Sequence, residues 1–232
     1  SNSPRLSVGD VVAAEATWSD FITIAAHKAT KLPPVPKLSH LMSVFGIAGK
    51  TAYHGLMSIG QPQPGETVLV SAAAGSVGGY VGQIAKSLGC RVVGIAGGKE
   101  KCDWVMEQFG FDACIDYRAD GLFKAIRSAC PEGVDVYFDN VGGVILETAL
   151  NLMNERGRIV CCGAISQYEN TAPTGPRNLP GALVVKRLRM EGFIVMDFAH
   201  NDATAIRAMQ GMMERGELKV TEDIVEGLEN AP

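Results

Sequence analysis

The sequence predicts an α/β protein with a doubly wound parallel sheet. Two observations predict it. A strand, glycine turn, helix and second strand fill Glu66 to Lys99. After that unit, short apolar runs keep alternating with helix-period segments as far as Val195, the pattern of parallel strands joined by crossover helices.

The chain starts with two segments that read as strands, Leu6 to Ala14 and Phe21 to Ala26, with Trp18, Ser19 and Asp20 between them. Two strands alone are marginal, so residues 1–37 are expected to be the remnant of a β-rich domain. Lys31 to Lys37 is a proline-rich connector. Ser39 is placed to cap a helix running toward Phe45, and Thr51 to Ile59 reads as a second helix ended by Gly60.

In the central unit, Val68, Leu69 and Val70 form an apolar run expected of a strand buried on both faces. Ala73, Gly75 and Gly78 follow at the spacing of a dinucleotide-binding turn, with alanine in place of the first glycine. Such a turn must bend sharply, let backbone approach a diphosphate, and let a helix pack close to its strand. The helix from about Ser76 aims free N–H groups and its positive dipole end at the phosphates. Val77, Val81, Ile84, Ala85 and Leu88 recur at helical spacing, and Gly89 stops it. A purely structural turn uses glycines too, but strand before and helix after is the context that the nucleotide reading requires.

Arg91 to Ala96 is the next strand, and its end selects the nucleotide. An NAD site usually carries an acid about 20 residues after the glycines. Here Gly97 and Gly98 are followed by Lys99, Glu100 and Lys101. Cations without an acid favour a 2′-phosphate, so NADP is expected over NAD. The alternative is that the lysines are a solvated helix start.

The alternation continues with a helix at Glu100–Phe109, a strand at Ala113–Tyr117 and a helix at Asp120–Cys130. Val134–Asp139 is a strand, Val144–Met153 a helix and Gly157–Cys162 a strand. After a polar loop from Gly163 to Pro180 come a helix at Leu183–Arg189 and a last strand at Glu191–Val195. Ligands of such sheets bind beyond the carboxyl ends of the strands. Ala73–Gly78, Gly97–Lys101, Tyr117, Asn140–Gly143 and Gly163–Tyr168 are therefore expected on one rim. The nucleotide domain is assigned to 38–200. Residues 201–232 hold an amphipathic helix, Asn201–Arg215, and strand-like residues from Leu218 that return toward the β-rich domain. The helix methionines read as core filler.

A net charge of −4 over 232 residues suggests neither nucleic acid nor an anionic membrane as partner. No apolar run reaches the roughly 20 residues of a membrane helix, and the polar start at Ser1–Asp10 does not read as a signal peptide. The six cysteines lack any CxxC spacing. Adjacent strand residues such as Cys161 and Cys162 face opposite ways and cannot chelate together, so no metal is expected. Reduced thiols suit a cytoplasmic protein.

Taken in order, GKTAYHGL, ETVLVSAAAGSVG, QIAKSLGCRVVG, GFDACIDY, VDVYFDNVGG, GRIVCCGAISQYEN, GPRNL and MEGFIV resemble the zinc-independent medium-chain dehydrogenases/reductases. The nearest resemblance is to the leukotriene B4 12-hydroxydehydrogenase/prostaglandin reductase group, with its curcumin-reductase-like and plant double-bond-reductase relatives. It covers nearly the whole chain from Val8. The resemblance implies a Rossmann fold, remnants of a GroES-like substrate domain, a chain truncated at both ends, and a homodimer. It implies an NADPH-dependent reductase of carbon–carbon double bonds conjugated to a carbonyl, acting on a small-molecule enone.

By position, the resemblance assigns Ala73, Gly75, Ser76, Val77 and Gly78 to the diphosphate. Lys101 and Tyr117 match contacts to the 2′-phosphate and adenosine side. Asn140, Cys162, Gly163, Ala164, Ile165, Ser166 and Tyr168 match contacts along the cofactor. Phe193, Ile194 and Val195 match the strand that meets the nicotinamide carboxamide, while Thr51 and Tyr53 match the helix near cofactor and cleft. Val185 stands where some mammalian relatives carry a tyrosine near the substrate.

Enone reduction moves negative charge onto the carbonyl oxygen, which needs a hydrogen-bond donor. Tyr53 is the leading protein candidate; a cofactor hydroxyl or water is the alternative, and Tyr53 as a packing residue is another. Quinone reductase or alcohol dehydrogenase-like chemistry, and an NADP-binding but catalytically incomplete module, remain open readings.

Overall fold

The computed structural model describes residues 5–168 and 175–230. Two compact units divide the chain: Ser1–Leu41 with Thr221–Pro232, and Met42–Val220. The helix near residue 201 thus belongs with the sheet, and the expected boundary at 200 lies instead at 220.

In the smaller unit, β1 (Val12–Ala13) pairs antiparallel with β2 (Thr30–Lys31). The expected strand at Phe21–Ala26 is absent, and the one at Leu6–Ala14 shrinks to two residues. The reason is burial. No described apolar residue of this unit is buried, and Phe21 is 93% exposed, so alternation has no face to pack against. Ser39 caps no long helix; Leu38–Leu41 is one 3-10 turn, and the Ser39 hydroxyl donates to Glu222 instead. The residues from Leu218 form no strand among those described.

The larger unit is built on a six-stranded parallel sheet. Its strands are β3 (Thr67–Ser71), β4 (Arg91–Ala96), β5 (Ala113–Asp116), β6 (Val134–Asp139), β7 (Met153–Cys161) and β8 (Arg189–Gly192), in the order β5-β4-β3-β6-β7-β8. The order reverses at β3, so a crevice opens between β3 and β6. Leu69 pairs with Val93 on one side and Tyr137 on the other. These residues, with Ile95 and Ile159, pack under α4 (Leu122–Ala129) and α5 (Gly143–Leu152) through Ile126, Leu146 and Ala149. Val68, Val70, Val136 and Phe138 are equally buried and alternate to the opposite face.

On the way into the sheet, α1 (Ile47–His54) runs on into a π-helical turn at Gly55–Gly60. Between strands lie α2 (Ser76–Ser87) and α3 (Lys99–Phe109). The last crossover helix, α6 (Leu179–Lys186), begins earlier than expected because Pro180 suits a first turn; Arg187, at φ 53°, ends it. The last strand also shifts. β7 stops at Cys161, which pairs with Gly192, so Phe193 and Ile194 have no ladder to join, and Val195–Asn201 coils into 3-10 helix. α7 (Asp202–Glu214) buries Ala205, Met209 and Met212, as core filler should.

Candidate functional site

A cleft of about 700 Å³ lies beyond the carboxyl ends of the strands. Its floor is the turn from β3 to α2, where Ala72, Ala74 and Gly75 face the space. The turn is held by the Gly75 N–H donating to the Ala72 carbonyl at 2.9 Å. A Cβ on Gly78 would stand 2.3 Å from that same carbonyl oxygen, so only glycine lets α2 start this close. Ala72 adopts φ 50°, a left-handed conformation that costs an alanine about 1 kcal/mol. Ala73 is buried beneath the turn, and Ser76 and Val77 form the first residues of α2.

One end of the cleft is cationic. Lys101, Tyr117 and Arg118 line it together with Gly97. Tyr117 and Arg118 close over Gly97, whose Cβ would meet the Tyr117 ring at 3.0 Å and Arg118 Nε at 3.1 Å. The Arg118 guanidinium carbon lies 5.9 Å from the Tyr117 ring centroid. Asp116 is near, but its carboxylate is engaged by backbone: it accepts from Gly98 N–H at 2.8 Å and Arg118 N–H at 3.0 Å. Those amides, Arg118 first, hold its pKa below the usual aspartate value. Lys99 lies outside this end and pairs with Asp103 along α3. Arg118 is the cation that the sequence reading missed. Its one signal is its place directly after Tyr117, at the end of a strand facing the rim.

The facing wall comes from Val141, Gly142, Gly143 and Val144 after β6, and from Ile165, Ser166 and Gln167 after β7. Ser166 Oγ donates to the Val141 carbonyl at 2.6 Å, joining the two loops. Asn140 does not face the space: its Nδ2 donates back to the Ser71 carbonyl at 2.8 Å. Tyr168 folds over its own loop, its hydroxyl accepting from Ala164 N–H at 3.2 Å and lying against Gly163. Cys162 follows β7 directly; burial, then Asp139, pushes its thiol up to about 11. Glu169 and Asn170 fall outside the described residues.

Gly75, Gly97, Lys101, Tyr117, Ile165 and Ser166 are thus gathered around one cleft. Thr51, Tyr53, Phe193, Ile194 and Val195 do not line it. Tyr53 and Phe193 belong to a separate aromatic cluster. Phe193 packs edge-on to Phe198, Phe198 stacks on His54 at 5.1 Å, and Tyr53 meets His54 edge-on at 5.7 Å.

The zinc-binding dehydrogenase family model matches residues 76–211. The chain belongs to this family of medium-chain dehydrogenases and reductases. NADPH-dependent curcumin reductase of Escherichia coli (strain K12) is 42% identical, across 100% of this chain and 69% of that protein. (+)-Pulegone reductase of Mentha piperita is 42% identical with the same coverage, 100% and 69%. The crystal structure of CurA in complex with NADPH from Vibrio vulnificus superposes at a TM-score of 0.89 and 41% identity, covering 97% of this chain and 68% of that one. Despite the family's name, no three His, Cys, Asp or Glu side chains converge as metal ligands among the described residues. Those residues therefore offer zinc no ligand set. A dinucleotide fits better: a bare-backbone turn, a helix N-terminus and a cationic end share one cleft.

Proposed function

We propose that this medium-chain reductase uses NADPH to reduce the carbon–carbon double bond of α,β-unsaturated ketones and aldehydes. The observation that carries the reading is the cleft itself, with Ala72, Ala74 and Gly75 at its floor and Lys101 and Arg118 at one end. The Ala73–Gly78 turn would hold the diphosphate, where α2 presents its free N–H groups. Lys101 and Arg118 receive the 2′-phosphate, with Tyr117 beside them; charge-assisted bonds to phosphate are the strong kind. Ile165 and Ser166 would flank the cofactor's length, and the family resemblance assigns Phe193–Val195, outside this lining, to its nicotinamide end.

Bound NADPH supplies a hydride for the β-carbon of the enone. The chain's part is to hold, orient and keep water out. Tyr53 donates a hydrogen bond to the carbonyl oxygen as negative charge gathers there. The family resemblance supports that role, as does the cluster that joins Tyr53, through His54 and Phe198, to Phe193. The protein works in the cytoplasm as a homodimer. The edge position of β8 and the exposed Val184 and Val185 on the neighbouring α6 support the dimer. No described helix is long and apolar enough to cross a membrane.

The test pairs a binding titration with an assay. The chain should bind NADPH more tightly than NADH and oxidise it when an alkenal is added. Failure to bind would defeat the reading. Binding without turnover would leave a cofactor-binding module.

A further inference from the structure

Both walls of the cleft share one buried anchor. Asp139 ends β6 and is 2% exposed. Its Oδ1 accepts four hydrogen bonds: from Tyr137 OH at 2.8 Å, Gly142 N–H at 2.9 Å, Val141 N–H at 3.0 Å and Ser71 Oγ at 3.3 Å. Ser71 is the last residue of β3, directly before the phosphate turn. Its Oγ accepts from Asn140 N–H at 2.9 Å, and its carbonyl accepts from Asn140 Nδ2. Val141 and Gly142 line the facing wall. One carboxyl group therefore joins the strand that carries the turn to the loop that stands opposite it.

The consequence follows from the cost of stranding buried polar groups. Without Asp139, the two loop amides and two hydroxyls lose a common acceptor. The amides must then turn toward water, and the nearest open space is the cleft. Asp139 itself does not line that space, so it acts through the backbone of residues 141–142.

We propose that Asp139 is a positioning residue that fixes the width of the cofactor cleft before the cofactor arrives. This rests on the NADPH reading above. Because Lys101 and Arg118 lie at the other end, loss of the anchor should weaken NADPH and NADH by the same factor and leave the preference between them intact.

The experiment titrates both cofactors into the native chain, Asp139→Asn and Tyr137→Phe, with thermal melts of all three. Asparagine keeps the shape and an oxygen at the Oδ1 position, but a neutral amide oxygen holds four converging donors less strongly than a carboxylate does. Asp139→Asn should raise both dissociation constants about tenfold. Tyr137→Phe removes only the donor from the core side; it should lower the melting temperature and leave both constants unchanged. Native affinity in folded Asp139→Asn overturns the proposal, as does an equal weakening by Tyr137→Phe. Should Asp139→Asn not fold, amide exchange on the native chain decides. The Val141 and Gly142 amides should be protected without cofactor; exchange at the rate of open loops overturns the proposal. A native chain that binds no NADPH defeats the cofactor reading instead, and the exchange result then judges the anchor alone.

Discussion

Gly78 faces the carbonyl oxygen of Ala72 so closely that a Cβ on it would lie 2.3 Å away. The N-terminal end of α2 is therefore set by the lack of one carbon. Gly78→Val should force the helix start off the turn, abolish NADPH binding and lower the melting temperature. Fluorescence titration and a thermal melt check both. Retained affinity would mean that the turn does not carry the diphosphate.

Lys101 and Arg118 come from different elements, α3 and the end of β5, yet line the same end of the cleft. If both receive the 2′-phosphate, Lys101→Ala and Arg118→Ala should each weaken NADPH about tenfold, the order expected for a charge-assisted hydrogen bond. Neither should change NADH by more than about twofold, since NADH lacks the group they bind. Calorimetry with the two cofactors measures this. Equal losses for both would reassign the residues to adenosine packing or to the surface.

The difference between these two cations shows what a sequence discloses. Lys101 was legible because it follows a strand end at fixed spacing from the glycines. Arg118 was not, because its place at the cleft depends on β5 lying beside β4 and on a bare Gly97 that lets its side chain fold over. The strands at Val68–Val70, Arg91–Ala96 and Val134–Asp139 were legible as buried apolar runs in the sheet's centre. Phe21–Ala26 is also largely apolar and forms no strand, because no described residue buries it. Asn140 stands directly after β6, but its side chain turns back to the Ser71 carbonyl on β3, a partner 69 residues away that no local pattern reveals.

Asp112 gives a pH-dependent contribution to stability. Burial raises its pKa, but the Lys86 ammonium at 2.8 Å and the Val92 N–H at 2.7 Å outweigh it, and the net shift is downward. A depressed folded-state value stabilises the fold above the unfolded pKa, near 3.9. That stabilisation is lost as pH falls through the folded value. Asp112→Asn should cost about 1 kcal/mol at neutral pH, and its melting curve should converge on that of the native chain below about pH 4. A gap that persists unchanged in acid would place the cost in packing.

Asp202 opens α7 and serves two partners on α1: Lys50 Nζ lies 2.7 Å from one oxygen, and His54 Nε2 3.2 Å from the other. His54 is nearly buried, and its ring stacks on Phe198. Asp202→Ala should destabilise the fold by about 1–3 kcal/mol, mostly by stranding a buried ring nitrogen. That cause makes a sharper forecast. His54→Phe keeps an aromatic ring against Phe198 and has no nitrogen to strand. Adding it to Asp202→Ala should recover about 1 kcal/mol relative to the single variant. Denaturant melts of the four-member cycle measure the coupling. Strict additivity would show that Asp202 acts through Lys50 and the helix dipole, and that His54 is held by stacking alone.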